Sequence, residues 1–134
     1  MNRVYPAALD GFLTKKVDVL ADTVQAYLVS NAYTYNDGHT FLSSVPVGSR
    51  TAGPLTLTTK TTSNGKLFAD DLVFTAVPAG STVVGIVITH RGASDATSRL
   101  LAYLDTNFDG SPINLATDGF DVEYDWTPDG VFYI

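Results

Sequence analysis

The apolar positions of the chain change period early. From Pro6 to Lys16, Leu9, Phe12 and Leu13 recur at three- and four-residue spacing behind a proline at the first turn, which predicts a short helix. Gly11 inside it costs up to about 1 kcal/mol relative to Ala, so the helix needs a sheet or a neighbouring subunit to dock on. From Thr23 the period falls to two: Val24, Ala26 and Leu28 share one face, Gln25 and Tyr27 the other, the pattern of a half-buried strand. Asn31 to His39 is a polar, tyrosine-bearing loop, and Phe41 to Pro46 reads as one helical turn closed by the proline.

Further on, Leu55 and Leu57 alternate with threonines up to Thr62, and Ser63-Asn64-Gly65 predicts a tight hairpin turn, because Asn and Gly tolerate the positive φ of primed turns. Lys66 to Val77 reads as the returning strand, with Asp70-Asp71 marking a bulge. Thr82 to Thr89 is apolar and β-branched at nearly every position, as expected of a strand covered on both faces, and is placed at the centre of the fold. Ser98 to Asp105 is another strand. In Phe120 to Trp126, apolar Phe120, Val122, Tyr124 and Trp126 alternate with Asp121, Glu123 and Asp125. Thr127-Pro128-Asp129-Gly130 predicts a second hairpin turn, and Val131 to Ile134 a terminal strand.

About seven short strands punctuated by Gly, Pro and Asn-Gly turns predict an all-β fold: a two-sheet antiparallel sandwich, jelly-roll-like, with a short N-terminal helix. No composition shift, repeat or low-complexity segment divides it, so residues 1–134 read as one domain with residues 1–16 as an N-terminal arm.

Composition sharpens this picture. At 134 residues the chain buries roughly two-thirds of its unfolded surface and needs no staple. Charged residues are only 16%, against about 25% in an average globular chain, so Thr, Ser, Asn, Gly and Tyr must cover the surface, which suits β-structure better than a helical bundle. The net charge of −6 argues against nucleic-acid binding, since phosphate contacts need a concentrated positive field and Lys15-Lys16 is the densest basic run. The absence of cysteine excludes disulfides and thiolate metal sites. No apolar stretch approaches the roughly 18 residues of a membrane span, and the first residues lack a signal peptide's apolar region, so the expected product is soluble and cytoplasmic when made.

Candidate chemistry is sparse. Asp105-Thr106-Asn107-Phe108-Asp109-Gly110 matches the opening half of a calcium loop, but the position of the bidentate Glu holds Ala116, and the same residues favour an ordinary turn. His39 and His90 fall in no metal-binding spacing, and His90 beside Arg91 reads as a solvated strand edge. No GxSxG elbow nominates a nucleophile. Asp121, Glu123 and Asp125 fit acid–base work in a cleft but are explained more simply as the outer row of a sheet. Tyr5, Tyr33 and Tyr35 stand in polar contexts suited to an interface or to stacking on a sugar, whereas Trp126 is read as core. No catalytic, cofactor-binding or metal-ligating residue is nominated, and no enzymatic activity or cofactor is expected.

Taken end to end, the order of pieces carries a resemblance. The N-terminal helix runs into Leu20 to Val29; Phe41 to Pro46 is followed by Gly48-Ser49-Arg50; Asn64-Gly65 precedes Phe68 to Val77; Ala96 to Thr106 follows, and an acidic, aromatic strand comes last. In this the chain resembles small proteins encoded among the virion structural genes of tailed bacteriophages, some of them capsid decoration or cement proteins. Two segments depart from that pattern: Asn107 to Gly110, which gives the calcium idea no support, and Asn31 to His39.

The resemblance implies a non-enzymatic virion protein, made in the host cytoplasm, that binds the major capsid protein or another virion protein and stabilises contacts between capsid subunits. It implies a homo-oligomer, for which a trimer suits three-fold positions of a shell. Phe12 and Leu13 are the expected docking residues. The alternatives are a tail or head-fibre component, and a carbohydrate-binding sandwich using Tyr33, Tyr35 and the Asp105 loop. A small hydrolase would instead set His39 or His90 beside carboxylates in a deep pocket.

Overall fold

A computed structural model describes residues 2–107, 109–126 and 130–133. In chain order the elements are β1 (Arg3–Val4), α1 (Pro6–Leu13), β2 (Val24–Ser30), two 3₁₀ turns (Leu42–Ser44 and Val47–Ser49), β3 (Arg50–Thr56), β4 (Thr61–Ser63), β5 (Lys66–Phe68), β6 (Leu72–Phe74), β7 (Thr82–His90), β8 (Arg99–Leu104), β9 (Leu115–Ala116), β10 (Val122–Tyr124) and β11 (Phe132–Tyr133). The fold is an all-β antiparallel sandwich with a short N-terminal helix. One large sheet runs β1-β8-β7-β2-β3, with β9 also on β7, and the second layer is divided into the pair β10-β6 and the trio β11-β5-β4. Phe108, Ile134 and all of the expected second turn except Gly130 lie outside the described residues.

As the β-branched run predicts, β7 is the middle strand, buried from Val83 to Thr89 apart from a partly covered Val84. Its neighbour β2 departs from the half-buried reading: Tyr27 and Val29 are buried along with Val24, Ala26 and Leu28. The reason is long-range. Tyr27, Val87 and Tyr103 stand in cross-strand register on one face of the sheet. That face is covered by residues 33–50: the rings of Tyr33 and Tyr35 lie 5.6 and 5.8 Å from that of Tyr103, and the Arg50 guanidinium lies over Tyr27. Gly85 makes room, since a Cβ there would come within 2.6 Å of the Tyr103 ring. On the other face Ala26, Ile88 and Ala102 are in register, and they join Leu67, Leu72, Phe74 and Trp126 of the second layer in one core.

The predicted hairpin forms at Asn64-Gly65, with φ of +52° and +77°. Its arms are shorter than the alternation suggests. Residues 50–56 pair with β2 instead, and the chain turns at Thr59, φ +54°, before β4. Asp70-Asp71 is a break between β5 and β6, not a bulge. Asp70 accepts from the Thr59 hydroxyl at 2.7 Å and, through its carbonyl, from the Trp126 indole at 2.9 Å, while the Asp71 carboxylate accepts the Trp126 N–H at 3.3 Å.

The N-terminal segment is a sheet edge followed by a docked helix. β1 pairs with β8, the Tyr5 N–H donates to the Leu101 carbonyl at 3.0 Å, and Tyr5 is fully buried. The helix ends at Leu13, three residues before the predicted end, because Lys15 takes φ +60° and turns the chain. Its inner face is built on the helix's small residues. Ala8 and Gly11 are the buried positions, and Gly11 permits the approach of Arg99, whose Cδ would lie 2.9 Å from a Cβ there. Arg99 in turn donates to the Ala7 carbonyl at 3.1 Å.

Candidate functional site

The tyrosines that read as exposed are structural. Tyr33 is 4% exposed, and its hydroxyl lies 2.6 Å from that of Tyr5 and 2.9 Å from His39 Nδ1. Tyr35 packs 4.9 Å from the Tyr5 ring, with the Arg3 guanidinium 4.6 Å above it, and donates to the Asp37 carboxylate at 2.6 Å. Burial pushes the phenols of Tyr5, Tyr33 and Tyr103 upward, and burial together with Asp37 pushes Tyr35 up to about 12, so the cluster stays neutral through the physiological range. A sugar platform built on Tyr33 is thereby overturned, because the ring is spent on the core. Sequence periodicity had no access to this, since the groups packed against these rings are Tyr5, near the N-terminal end of the sequence, and Tyr103 of β8.

The histidines belong to different clusters. His39 bonds Tyr33. His90, at the end of β7, is not a solvated edge: its Nε2 lies 2.9 Å from Asp22 Oδ2, which also accepts the Asp18 N–H at 3.0 Å. The Asp18 N–H first, then His90, holds the Asp22 carboxyl below the usual carboxylate range. Lys60 donates to the Asp22 carbonyl, clamping the same loop.

Within the Asp105 loop, the Asp109 carboxylate accepts the Ser111 hydroxyl and N–H at 2.6 and 2.9 Å, which lower its pKa, and Asn107 donates to Ser111. Among the described residues no group of three or more acids and histidines is gathered as a metal site would need. In the acidic strand the alternation holds from Val122 to Trp126, which is 2% exposed, but fails at Phe120, which is 73% exposed. Asp121, exposed, accepts the Ala76 N–H at 2.7 Å. The Asp105 loop and the Glu123–Trp126 run, read separately in the sequence, meet at a cleft of about 210 Å³.

Among the described residues the most exposed large apolar side chain is Leu13, at 83%, one helical turn from the partly exposed Leu9. Residues four apart share a helix face, so the two form an outward row on α1. Phe12, by contrast, turns inward and stacks on Phe132 at 6.3 Å, so of the two docking residues read from the sequence only Leu13 is available. Immediately beyond, the left-handed Lys15 and then Lys16 are both exposed. Arg3 is tied to Asp105, Arg50 and Arg91 to Asp95, Arg99 to Ala7 and Lys60 to Asp22, and among the described residues Lys15-Lys16 is an adjacent basic pair with no such tie, on an acidic chain. The spacing of Leu9 and Leu13 was legible in the sequence; which side of the helix faces out was not.

No protein-family model matches this chain, and no curated protein matches it.

Proposed function

We propose that this chain is a non-enzymatic structural protein of a tailed-phage particle, a capsid decoration protein that seats on the outer shell and stabilises contacts between major capsid subunits. The observation that carries the reading is the outer row of α1, Leu9 and Leu13 beside Lys15-Lys16, on a helix whose opposite face is already fixed to β8. A rigidly mounted apolar row with a basic margin is a docking element: burying it gains apolar transfer free energy without ordering a flexible arm. The mostly uncharged, tightly packed β body supports the same reading, as a spacer whose work is association. Repetition over a symmetric shell turns a small interface into a strong one.

Electron cryomicroscopy of purified particles tests the assignment. Density at regular positions on the shell is the expected result; density confined to the tail makes the chain a tail component, and absence from particles removes the virion reading. Leu13→Asp, at an exposed position, should leave thermal stability nearly unchanged while releasing the protein from particles. Retention of the variant at wild-type occupancy would refute docking through α1.

A further inference from the structure

The cleft between the Asp105 loop and the end of β10 is furnished for a ligand. Asn2, Asn107, Glu123, Tyr124 and Trp126 are among its lining residues. Two of its amides are fixed at one end only. Asn2 Oδ1 accepts the N–H groups of Asp105 and Thr106, both at 3.0 Å, which leaves its amino group to donate. Asn107 Nδ2 donates to the Ser111 hydroxyl at 3.2 Å, which leaves its amide oxygen to accept. Glu123 contributes an exposed carboxylate. Trp126, its indole N–H locked on the Asp70 carbonyl, forms a buried floor, and the half-buried Tyr124 ring tilts against it at 4.6 Å.

We infer that this cleft binds a neutral polyhydroxylated ligand, a single sugar ring. A sugar hydroxyl both donates and accepts, so a site for it needs pre-oriented donors and acceptors side by side, as the two half-committed amides and the carboxylate supply. The C–H face of the ring needs an aromatic wall, which Tyr124 on Trp126 supplies. At about 210 Å³ the cleft is smaller than the roughly 300–1,000 Å³ of drug-sized pockets, which limits it to one ring. Glu123 lines it, and no lysine or arginine stands among the described lining residues to attract an anion, so a neutral ligand is favoured. None of this depends on how the chain docks to a particle.

The chain has one tryptophan, and it forms the cleft floor, so its emission reports occupancy directly. Intact protein would be titrated separately with D-glucose, D-galactose, N-acetyl-D-glucosamine and calcium chloride, with saturation-transfer NMR on the same sugar samples. A saturable response to at least one sugar is expected, weakened about tenfold or more in Glu123→Ala and largely restored in Glu123→Gln, which keeps a hydrogen-bonding side chain. No response to any of the three sugars by either method overturns the proposal. A response to calcium chloride alone also overturns it, making the cleft a cation site. Sugar binding that is unchanged in Glu123→Ala removes it from this cleft.

Discussion

In the large sheet, β2, β7 and β8 run seven, nine and six residues, and their side chains are buried on both faces. In the second layer, β5, β6 and β10 are three residues each, and the segments between them are tied by side chains: the Asp121 and Asp71 carboxylates accept the backbone N–H groups of Ala76 and Trp126, the Trp126 indole donates to the Asp70 carbonyl, and the Thr59 hydroxyl donates to the Asp70 carboxylate. One region is held by apolar burial along long ladders, the other by individual polar clamps around a few anchors. The difference teaches where each kind of damage will be felt. A ladder shares the loss of volume with all its neighbours, whereas a clamp fails as a unit.

The largest effect tests the first half of that contrast. Ile88→Ala, at a fully buried position on the middle strand, should cost about 2–5 kcal/mol in urea unfolding, while Val73→Ala, on the exposed side of β6, should stay within about 0.5 kcal/mol. Equal costs would erase the distinction between the layers. The second half is sharpened by Trp126→Phe, which keeps a ring but leaves the Asp70 carbonyl without its donor. We expect a loss of about 1–3 kcal/mol, with hydrogen exchange accelerated in β5 and β6 and unchanged in β7. Uniform acceleration would mean that the second layer has no separate opening.

The smallest effect lies at the rim of the large sheet, where Asp22 meets His90. The folded chain binds the Asp22 proton less tightly than the unfolded one, so its stabilisation is complete above the ordinary carboxylate range and is lost as pH falls through the lowered value. Melting temperature measured against pH should therefore fall less steeply on the acid side in Asp22→Asn than in the parent chain. Parallel curves would assign acid sensitivity to other carboxylates.

The large sheet was the more legible region. An unbroken β-branched run has few solutions other than a two-sided central strand, and Thr82 to His90 took that one. The tight turn at Asn64-Gly65 was equally readable, because positive φ is a local demand. What the sequence concealed was supplied from far along the chain. Gln25 and Tyr27 made β2 read as half-exposed, yet residues 33–50 cover that face. The pattern on α1 left open whether Leu9, Phe12 and Leu13 meet the sheet or a neighbour; close packing buries Ala8 and Gly11, where Arg99 approaches, turns Phe12 inward and leaves Leu13 outside. At the cleft, the turn-like loop and the alternating acids were each visible, but their meeting, with Asn2 bracing the loop, is a property of the fold.

The placement of β1 and α1 on β8 also sets an order of events. The partners of Arg3 and Val4 are Tyr103 and Ala102, so these two residues cannot take their places until about a hundred more have been made. At roughly 5–20 residues per second that is a wait on the order of 5–20 s. Through it, Val4, Tyr5 and Ala8 have no native surface to cover them, and closing so long a loop is the entropic toll that slows folds rich in distant pairings. The strand β1 and the helix behind it wait for a partner strand made about a hundred residues later.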